Sequence, residues 1–228
     1  MSRSDPITSA DNAKLKLVRR LQRRRDARLF VAEGEDLVAA GGRPEFVLVA
    51  AGSGLDGIEV EPELLAKASA RGSGTRAIGV FERPAPVAPA GPLCVALWGV
   101  GDPGNVGTIL RSALAFGAAS VALGPGCADP FGPKAVQASM GAVFDVPIAR
   151  VEEVAALPRP TIALAARAGD PLRGPLAEAT LLVGAEREGL PDEVVEACDR
   201  VAHIPIESES LNAAMAATVA LYEAVRYN

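Results

Sequence analysis

The chain has 228 residues, of which 49% are hydrophobic, 22% are charged and only 4% are aromatic. This composition excludes a disordered or fibrous protein, supplies enough apolar side chains for two packed cores, and disfavours a protein that stacks single-stranded bases on aromatic rings. The net charge of −5 argues against indiscriminate attraction to nucleic acids.

A basic helix is predicted near the start of the chain. Residues 1–30 carry nine Lys and Arg against three Asp, a net charge of +6. Over 10–25, Leu15, Val18 and Leu21 recur at helical spacing, so the helix can pack on a core and still present cations to phosphates. A helix whose charges are simply solvated is the alternative. The candidate phosphate-binding side chains are Lys14, Arg20, Arg23, Arg24 and Arg25.

The elements after this helix alternate in type. The patterns predict strands near 28–32, 45–50 and 75–81, and helices near 34–40 and 62–71. We interpret this part as a small α/β domain over residues 1–86. The chain divides within RPAPVAPAGP, residues 83–92, which has four prolines and no recognisable strand or helix, and therefore indicates a linker.

Residues 87–228 are predicted to form a second α/β domain. Apolar runs predict strands at 93–99, 119–124, 143–149, 161–166, 180–186 and 201–206. Helices are predicted at 105–116, 134–140, 151–156, 192–198 and 210–226. Continuous apolar strands between helices indicate a largely parallel sheet that is buried on both faces. No run reaches the roughly 20 apolar residues of a membrane span.

Gly99, Gly101 and Gly104 follow the first strand of this domain with the spacing of a dinucleotide-binding fingerprint. That fingerprint also needs an acidic residue about 20 positions later to hold the ribose hydroxyls of the nucleotide. The sequence has no Asp or Glu between Asp102 and Asp129. A nicotinamide-dependent oxidoreductase is therefore a disfavoured alternative.

The helix after this loop carries the first candidate site. In DPGNVGTILRSALAFGA, residues 102–118, Asp102 and Pro103 predict a turn, and Asn105 is expected to cap the helix. Arg111 lies off the apolar stripe of this helix, so Asn105 and Arg111 can both reach a cleft at the ends of the strands. The stripe comprises Val106, Ile109, Leu110, Ala113 and Leu114.

Two later segments also place polar residues near strand ends. LLVGAEREGLP, residues 181–191, is a buried strand followed by Gly184 and Glu186. A glycine there allows a close approach to a ligand, or it belongs to an ordinary connection. IPIESESLNAAMAATVALYEAVR, residues 204–226, predicts a helix with Ser210 and Asn212 at its start, where such residues usually act as caps.

The cysteines and the histidine predict no metal site. Cys94, Cys127 and Cys198 stand more than thirty residues apart, unlike the paired ligands of a structural zinc. Isolated cysteines are typical of a reducing cytoplasm, which is the expected location. His203 lies in the apolar run VAHIPI, which is typical of a half-buried strand residue.

In order and spacing, the three segments resemble the motifs of the SpoU branch of the SPOUT RNA methyltransferases, also called the TrmH family. ITSADNAKLKLVRRLQRRRDARLFVAEGEDLV is similar to the RNA-binding domain that often precedes the catalytic domain, and QASMGAVFDVPI to a connecting segment. The resemblance implies a C-terminal trefoil knot, which is an exception to the rule against threaded chains. It also implies S-adenosylmethionine as the cofactor and a homodimer that methylates a ribose 2′-hydroxyl of RNA without a metal.

Site residues follow from the same resemblance. Gly184, Ile204 and Leu211 would hold the methyl donor through backbone groups. The reactive site would comprise Asn105, Arg111, Glu186, Ser210 and Asn212. Because a guanidinium stays protonated, Arg111 is expected to fix a phosphate and stabilise the developing alkoxide, while the proton leaves to phosphate, Glu186 or water.

Bacterial 23S rRNA is the expected substrate because of the N-terminal domain, which the basic helix would help to bind RNA. A tRNA 2′-O-methyltransferase and a non-catalytic RNA-binding knot protein are the alternatives.

The sequence departs from the family pattern in two places that bear on the site. Only Glu207 to Glu209 separate Ile206 from Ser210, where a longer glycine-containing loop is common, and Arg187 stands where glycine often follows the motif glutamate.

Overall fold

The computed structural model describes residues 5–72, 74–176 and 178–226. Its strands form two sheets, one of four strands and one of seven. Among these residues, no helix has the length and apolar character needed to cross a membrane.

The N-terminal sheet has the strand order β1-β4-β2-β3, in which β4 runs antiparallel to β1 and β2. Its elements are α1 (Ala13–Arg23), β1 (Leu29–Glu33), α2 (Glu35–Ala40), β2 (Phe46–Ala50), β3 (Ile58–Val60), α3 (Pro62–Ala68) and β4 (Ala77–Glu82). The prediction missed β3, a three-residue strand that pairs in parallel with β2. Such a short run carries too few residues for a periodic pattern.

Helix α1 forms as its sequence predicts. The side chain of Asn12 caps it by accepting a hydrogen bond from the backbone N–H of Lys14 at 2.9 Å. Leu15, Val18 and Leu21 are buried in a core that they share with β2, β3 and α3. The opposite face of α1 carries its Lys and Arg side chains.

The seven-stranded sheet is parallel throughout, in the order β7-β6-β5-β10-β8-β11-β9. Its elements are β5 (Leu93–Leu97), α4 (Pro103–Ala115), β6 (Ser120–Leu123), α5 (Pro133–Ser139), α6 (Ala142–Asp145), β7 (Ile148–Arg150), β8 (Thr161–Leu164), β9 (Asp170–Pro171), β10 (Ala179–Val183), α7 (Asp192–Glu196), β11 (Arg200–His203) and α8 (Ala213–Val225). This confirms the predicted parallel sheet and its α/β class. The two-residue strand β9 was not predicted.

Both faces of this sheet are buried. Leu93, Val95 and Leu97 of β5 pack with α4, α5, α6 and α8. The alternate residues Cys94 and Ala96 face a second apolar cluster that includes α7 and the segment after β7. Continuous apolar strands are the expected consequence of this double burial.

The predicted strand over 143–149 is wrong in its first half, where α6 forms. Pro147 has no N–H to donate, so ladder pairing with β6 begins with the Pro147 carbonyl and continues from Ile148. The predicted helix over 151–156 is also wrong, because only a 3-10 turn forms at Val154–Ala156. Pro158 favours an extended conformation at Leu157, which ends that turn.

Residues 83–92 form no helix or strand, as predicted for a linker, but they lie in contact with the larger sheet. Val87 makes an isolated bridge with Ala149 of β7. The N–H of Ala90 donates to Ser120 Oγ at 2.8 Å, and Ser120 Oγ donates back to the carbonyl of Ala90 at 2.8 Å. The segment is therefore held along the outer strands rather than free.

An ion pair joins the two sheets. The guanidinium of Arg83, which follows β4, donates two hydrogen bonds of 2.8 Å to the two carboxylate oxygens of Asp129. Both side chains are largely buried, with 10% and 17% of their surface exposed. Beside them, Phe30 packs on Phe131 at 5.0 Å between ring centroids, and Phe81 on Phe144 at 4.9 Å. The sheets therefore share an apolar interface with one oriented ion pair at its edge.

We expect Asp129→Asn to lower the free energy of unfolding by roughly 1–3 kcal/mol at pH 7, because it leaves Arg83 without a charged partner. Burial raises the pKa of Asp129, but the hydrogen bonds and charge of Arg83 outweigh it, so the pKa lies below its ordinary value of 3.8. A depressed pKa stabilises the fold above the unfolded pKa of about 3.9, and this stabilisation is lost as the pH falls through the folded pKa.

Urea unfolding between pH 7 and pH 3 measures this effect. The difference in unfolding free energy between wild type and Asp129→Asn should narrow below about pH 4, where Asp129 of the unfolded chain takes up a proton while Asp129 of the folded chain keeps its charge to lower pH. Asp11→Asn, which removes an exposed partner of Lys16, is the matched control and should change little. A difference for Asp129→Asn that stays constant with pH would contradict the assignment.

Candidate active site

Three segments that are distant in sequence meet at the carboxyl ends of the parallel strands. The first is the start of α4, which follows β5; the second is the turn after β10; the third is the start of α8, which follows β11. In an open parallel sheet, this edge is where ligands are usually bound.

Asn105 does not cap α4, contrary to the sequence-based prediction. Asp102 is the capping residue, since its carboxylate accepts a hydrogen bond from the backbone N–H of Asn105 at 3.0 Å. A carboxylate at a helix N-terminus is also favoured by the helix dipole. Because Asp102 takes this role, the side-chain amide of Asn105 is free to contact other segments.

A directed chain of hydrogen bonds links the three segments. The Oδ1 atom of Asn212 accepts from the backbone N–H groups of Ala214 at 2.9 Å and Met215 at 3.3 Å, which confirms its predicted capping role. The Nδ2 atom of Asn212 donates to Asn105 Oδ1 at 3.1 Å. Asn105 Nδ2 in turn donates to Glu186 Oε1.

The orientation of both amides follows from this chain. Backbone N–H groups only donate, so they fix Oδ1 of Asn212 toward the helix and Nδ2 toward Asn105. Asn105 must then present Oδ1 to Asn212 and Nδ2 to Glu186, whose carboxylate only accepts. The cap of α8 therefore orients the carboxylate that follows β10.

Arg111 and Ser210 are not joined to this cluster. Arg111 lies on the exposed side of α4, about 9 Å along the helix axis from Asn105 by helix geometry. Ser210 is exposed and stands two residues before Asn212, and its carbonyl accepts a 3.5 Å hydrogen bond from Ser208 Oγ. The structure thus brings Asn105, Glu186 and Asn212 together, and places Arg111 and Ser210 near them without a direct contact in the described chain.

Gly184 is needed by the fold of its own turn. A Cβ atom at this position would lie 2.2 Å from the backbone carbon of Gly189 and 2.3 Å from the nitrogen of Leu190. Ala185 and Gly189 also exchange backbone hydrogen bonds of 3.0 Å. This folded-back turn holds Glu186 at its tip, toward Asn105.

A hollow of about 450 Å³ lies beside Ile204, at the carboxyl ends of β8 and β11. Arg167 contributes a cation to its lining and Glu207 an anion. Arg167 is not among the residues predicted from the sequence, where the signal for it is its position just after β8. Leu211 is half-buried and precedes Asn212, which links the end of this segment to the hydrogen-bonded cluster.

The cations of α1 differ in their surroundings. Lys14 lies over the ring of Phe46 at 4.9 Å, and Arg20 pairs with Asp26 at 3.0 Å. Arg25 reaches Asp129 at 3.4 Å while 63% of its side chain stays exposed. Arg23 and Arg24 are exposed and have no ion-pair partner within the described ranges.

His203 is a partly buried residue of β11, as predicted, and its Nδ1 atom lies 3.2 Å from the carbonyl oxygen of Gly169. All three cysteines are free thiols. Across the described residues, no group of three His, Cys, Asp or Glu side chains has the arrangement of a metal site.

Comparison with known proteins agrees with this geometry. The model of the SpoU rRNA Methylase family matches residues 92–222, which span all three segments of the cluster. The chain belongs to the SpoU rRNA methylase family. The SpoU membership assigns the loop at Gly99, Gly101 and Gly104 to this family rather than to the dinucleotide-binding oxidoreductases.

Two solved structures extend the similarity beyond the SpoU region. An AdoMet-bound rRNA methyltransferase from Sinorhizobium meliloti is 30% identical with a TM-score of 0.85, over 99% of both chains. The SpoU methyltransferase AviRb from Streptomyces viridochromogenes, in complex with AdoMet, is 27% identical with a TM-score of 0.82, over 95% of this chain and 98% of that one. Both sheets are therefore shared with SpoU methyltransferases.

Among curated relatives, the 23S rRNA (guanosine(2553)-2'-O)-methyltransferase RlmP of Bacillus subtilis is 35% identical over 133 residues. That match covers 54% of this chain and 54% of RlmP. The chain spans about half the length, or less, of the first curated relatives that it matches.

We expect Asn212→Ala to lower the free energy of unfolding by about 1–2 kcal/mol, because it removes the cap of α8. Asn212→Asp is the matched control. It keeps an oxygen that accepts from the helix N–H groups but loses the donor to Asn105, so its unfolding free energy should stay within about 0.5 kcal/mol of wild type. Urea denaturation compares the three proteins. If both variants lost the same amount of unfolding free energy, the cap would not be the stabilising contact.

Proposed function

We propose that this protein transfers a methyl group from S-adenosylmethionine to a ribose 2′-hydroxyl of ribosomal RNA. The observation that carries the proposal is the hydrogen-bonded meeting of Asn105, Glu186 and Asn212 at the ligand-binding edge of the sheet. Similarity over 99% of the chain to an AdoMet-bound rRNA methyltransferase supports the cofactor and the substrate class. Similarity to RlmP supports 23S rRNA and the 2′-oxygen as the acceptor.

The N-terminal sheet favours rRNA over tRNA. A neighbour described as acting in 2-OH methylation of C/U34 on tRNA matches only 60% of this chain, with a TM-score of 0.53. The rRNA methyltransferase from Sinorhizobium meliloti matches both sheets. We assign residues 1–86 to an RNA-binding domain and 87–228 to the methyltransferase domain, with the linker bound along the edge of the larger sheet.

The residues around Ile204 fit S-adenosylmethionine chemically. The methionine part of the cofactor carries both a carboxylate and an ammonium group, and the hollow offers Arg167 and Glu207 as charged partners. Backbone groups at Gly184, Ile204 and Leu211 complete the predicted cofactor site. When bound, S-adenosylmethionine supplies a methyl group on a positively charged sulfur, which a ribose oxygen can attack.

The side chains of the cluster have distinct tasks. Asn105 and Asn212 are positioning residues, because their amides hold Glu186 in one orientation. The guanidinium of Arg111 binds a phosphate next to the reacting ribose and stabilises negative charge that develops on the 2′-oxygen. The hydroxyl proton leaves to that phosphate, to Glu186 or to water, and Ser210 orients the ribose by hydrogen bonding. Correct positioning supplies much of the rate of such reactions.

The exposed apolar side chains of α4 and α8 support a homodimer. Leu114, Met215 and Tyr222 are 44%, 61% and 53% exposed, although the periodicity of α4 placed Leu114 in an apolar stripe. Arg111 precedes Leu114 by one helical turn, and a hydrogen bond of 2.7 Å between the hydroxyls of Ser112 and Thr218 holds α8 against α4, so a second copy of the chain would cover the outer side of the site. Apolar faces of this kind on helices usually mark an interface.

We also infer a trefoil knot in the C-terminal segment and a location in the cytoplasm. The strand order supports the knot, because β10 lies between β5 and β8 and the chain must pass back across β8 to reach β11. Three free cysteines are compatible with a reducing compartment.

The role of Arg111 is tested by Arg111→Ala. We expect methyl transfer to fall by about 10²-fold or more, because a charged donor to the developing alkoxide is lost, while the affinity for S-adenosylmethionine stays within about twofold. Single-turnover transfer of radiolabelled methyl to rRNA and calorimetric cofactor binding measure the two effects. Arg200→Ala, at the opposite edge of the sheet, is the control and should keep full activity. Loss of cofactor affinity in Arg111→Ala would reassign this residue to the cofactor site.

The basic helix is tested by replacing Arg23, Arg24 and Arg25 together with Gln. We expect weaker RNA binding, and a slope of log affinity against log salt that is smaller by about two, since each phosphate contact contributes roughly 0.7–0.9 to that slope. Fluorescence anisotropy with a labelled RNA fragment at several salt concentrations measures it. Arg43→Gln, a cation elsewhere on the N-terminal sheet, is the control. An unchanged slope would show that the helix is only a solvated surface.

A further inference from the structure

A cleft of about 380 Å³ lies where the two sheets meet. One wall is formed by α1, β1 and the turn after α3, and the other by α5 and the first turn of α4. Volumes of this size hold small ligands of roughly nucleotide size and are too small for a duplex. The cleft has no part in the cluster of Asn105, Glu186 and Asn212, but Gly104 in its lining immediately precedes Asn105.

Both walls of the cleft are held in place by close contacts. On the methyltransferase side, α4 and α5 cross at Gly107, where a Cβ atom would lie only 2.3 Å from the carbonyl oxygen of Ala135. On the other side, Glu33 fixes the turn after α3, because its carboxylate accepts from Ser69 Oγ at 2.6 Å and from the N–H of Ala70 at 2.7 Å. The Arg83–Asp129 pair holds the two walls together. The cleft is therefore preformed.

The charged groups of the cleft favour the binding of an anion that also has polar edges. Arg71 and Lys134 are exposed in its lining, and neither has an ion-pair partner in the part of the chain that the structure describes. Glu33 is the acidic residue of the lining, but it is 6% exposed and its oxygens are already occupied by donors. The accessible charge of the cleft is thus positive.

Gln22 adds an unpaired acceptor to the same lining. Its Nε2 atom donates to Glu33 Oε1, so its Oε1 atom faces away from that carboxylate. Oε1 is buried and has no hydrogen-bond partner among the described residues. A buried polar atom without a partner is costly, and the N–H or O–H of a bound nucleoside would satisfy it once the Gln22 side chain turns toward the cleft.

The cleft lies between the basic helix and the reactive cluster, which are the two parts of the proposed RNA site. Gln22 is adjacent to Arg23 of the basic helix, and Gly104 is adjacent to Asn105 of the reactive cluster. We propose that this cleft binds one nucleotide of the substrate RNA next to the methylated one, with Arg71 and Lys134 on its phosphates and its base against the apolar lining. This inference rests on the proposed function, since it assigns a neighbouring nucleotide of that same substrate.

The test replaces Arg71 and Lys134 together with Ala in the full-length protein. We expect KM for rRNA to rise about tenfold or more, with kcat within about twofold and cofactor affinity unchanged. The dissociation constant of a labelled RNA fragment should rise in parallel, and the slope of log affinity against log salt should fall by roughly 1.4 for two single-strand phosphate contacts. The double variant Arg43→Ala and Arg200→Ala, with one exposed cation from each sheet, is the matched control and should behave as wild type.

A second variant tests the shape of the cleft independently of its charge. Ala70→Trp fills the cleft from its exposed rim without changing a charge, and it should raise KM for rRNA while thermal unfolding stays near wild type. Unchanged KM and RNA affinity in both variants would overturn the proposal. Binding of free UMP or GMP that depends on Arg71 and Lys134, with RNA affinity unaffected, would also overturn it in favour of a mononucleotide site. If the wild-type protein methylates no RNA, the proposed function fails, whereas the RNA affinities still decide the cleft.

Discussion

The hydrogen-bond chain from Asn212 through Asn105 to Glu186 is the contact on which the rest of the site depends. Asn105 and Asn212 are 107 residues apart, and Asn105 and Glu186 are 81 residues apart. They can meet only because a parallel sheet brings the carboxyl ends of β5, β10 and β11 to one edge. Since each amide has one acceptor and one donor end, the cap of α8 determines the direction of the whole chain. One local requirement of a helix therefore orients a carboxylate in another segment.

Much of the fold could be predicted because apolar periodicity reports burial directly. The strands β5, β6, β8 and β10 lie within continuous apolar runs, and α1 buries the three residues that its spacing predicts. The errors arise where one residue overrides the pattern. Pro147 delays β7, and Asp102 takes the cap that was assigned to Asn105, because neighbouring residues of similar capping ability cannot be ranked without the path of the chain.

The candidate site could be predicted only in part. Glu186 and Asn212 were identified from motif order, but their contact with Asn105 depends on strand order, which no local pattern records. Leu114 was assigned to the apolar stripe of α4 and is exposed, since periodicity shows that a face is apolar but not what covers it. Arg71 and Lys134 gave no signal, because each is an ordinary surface cation until the two sheets are placed together.

The docking of the two sheets gives the basic helix a fixed place relative to the reactive edge. Arg83 and Asp129, with the aromatic contacts beside them, hold the two sheets of an otherwise acidic protein so that the cations of α1 lie beside the cleft. Local positive charge at fixed geometry attracts RNA without making the whole surface basic. An RNA strand bound by this surface would reach Asn105 by way of the cleft.

The site of methylation on the product tests this account most directly. Ribosomal RNA from a strain that lacks the gene would be incubated with the protein and S-adenosylmethionine carrying a deuterated methyl group, then digested to nucleosides and analysed by mass spectrometry. The account predicts one labelled nucleoside with the methyl group on the ribose 2′-oxygen. A label on a base, or no label in ribosomal RNA with an intact and cofactor-binding protein, would contradict it.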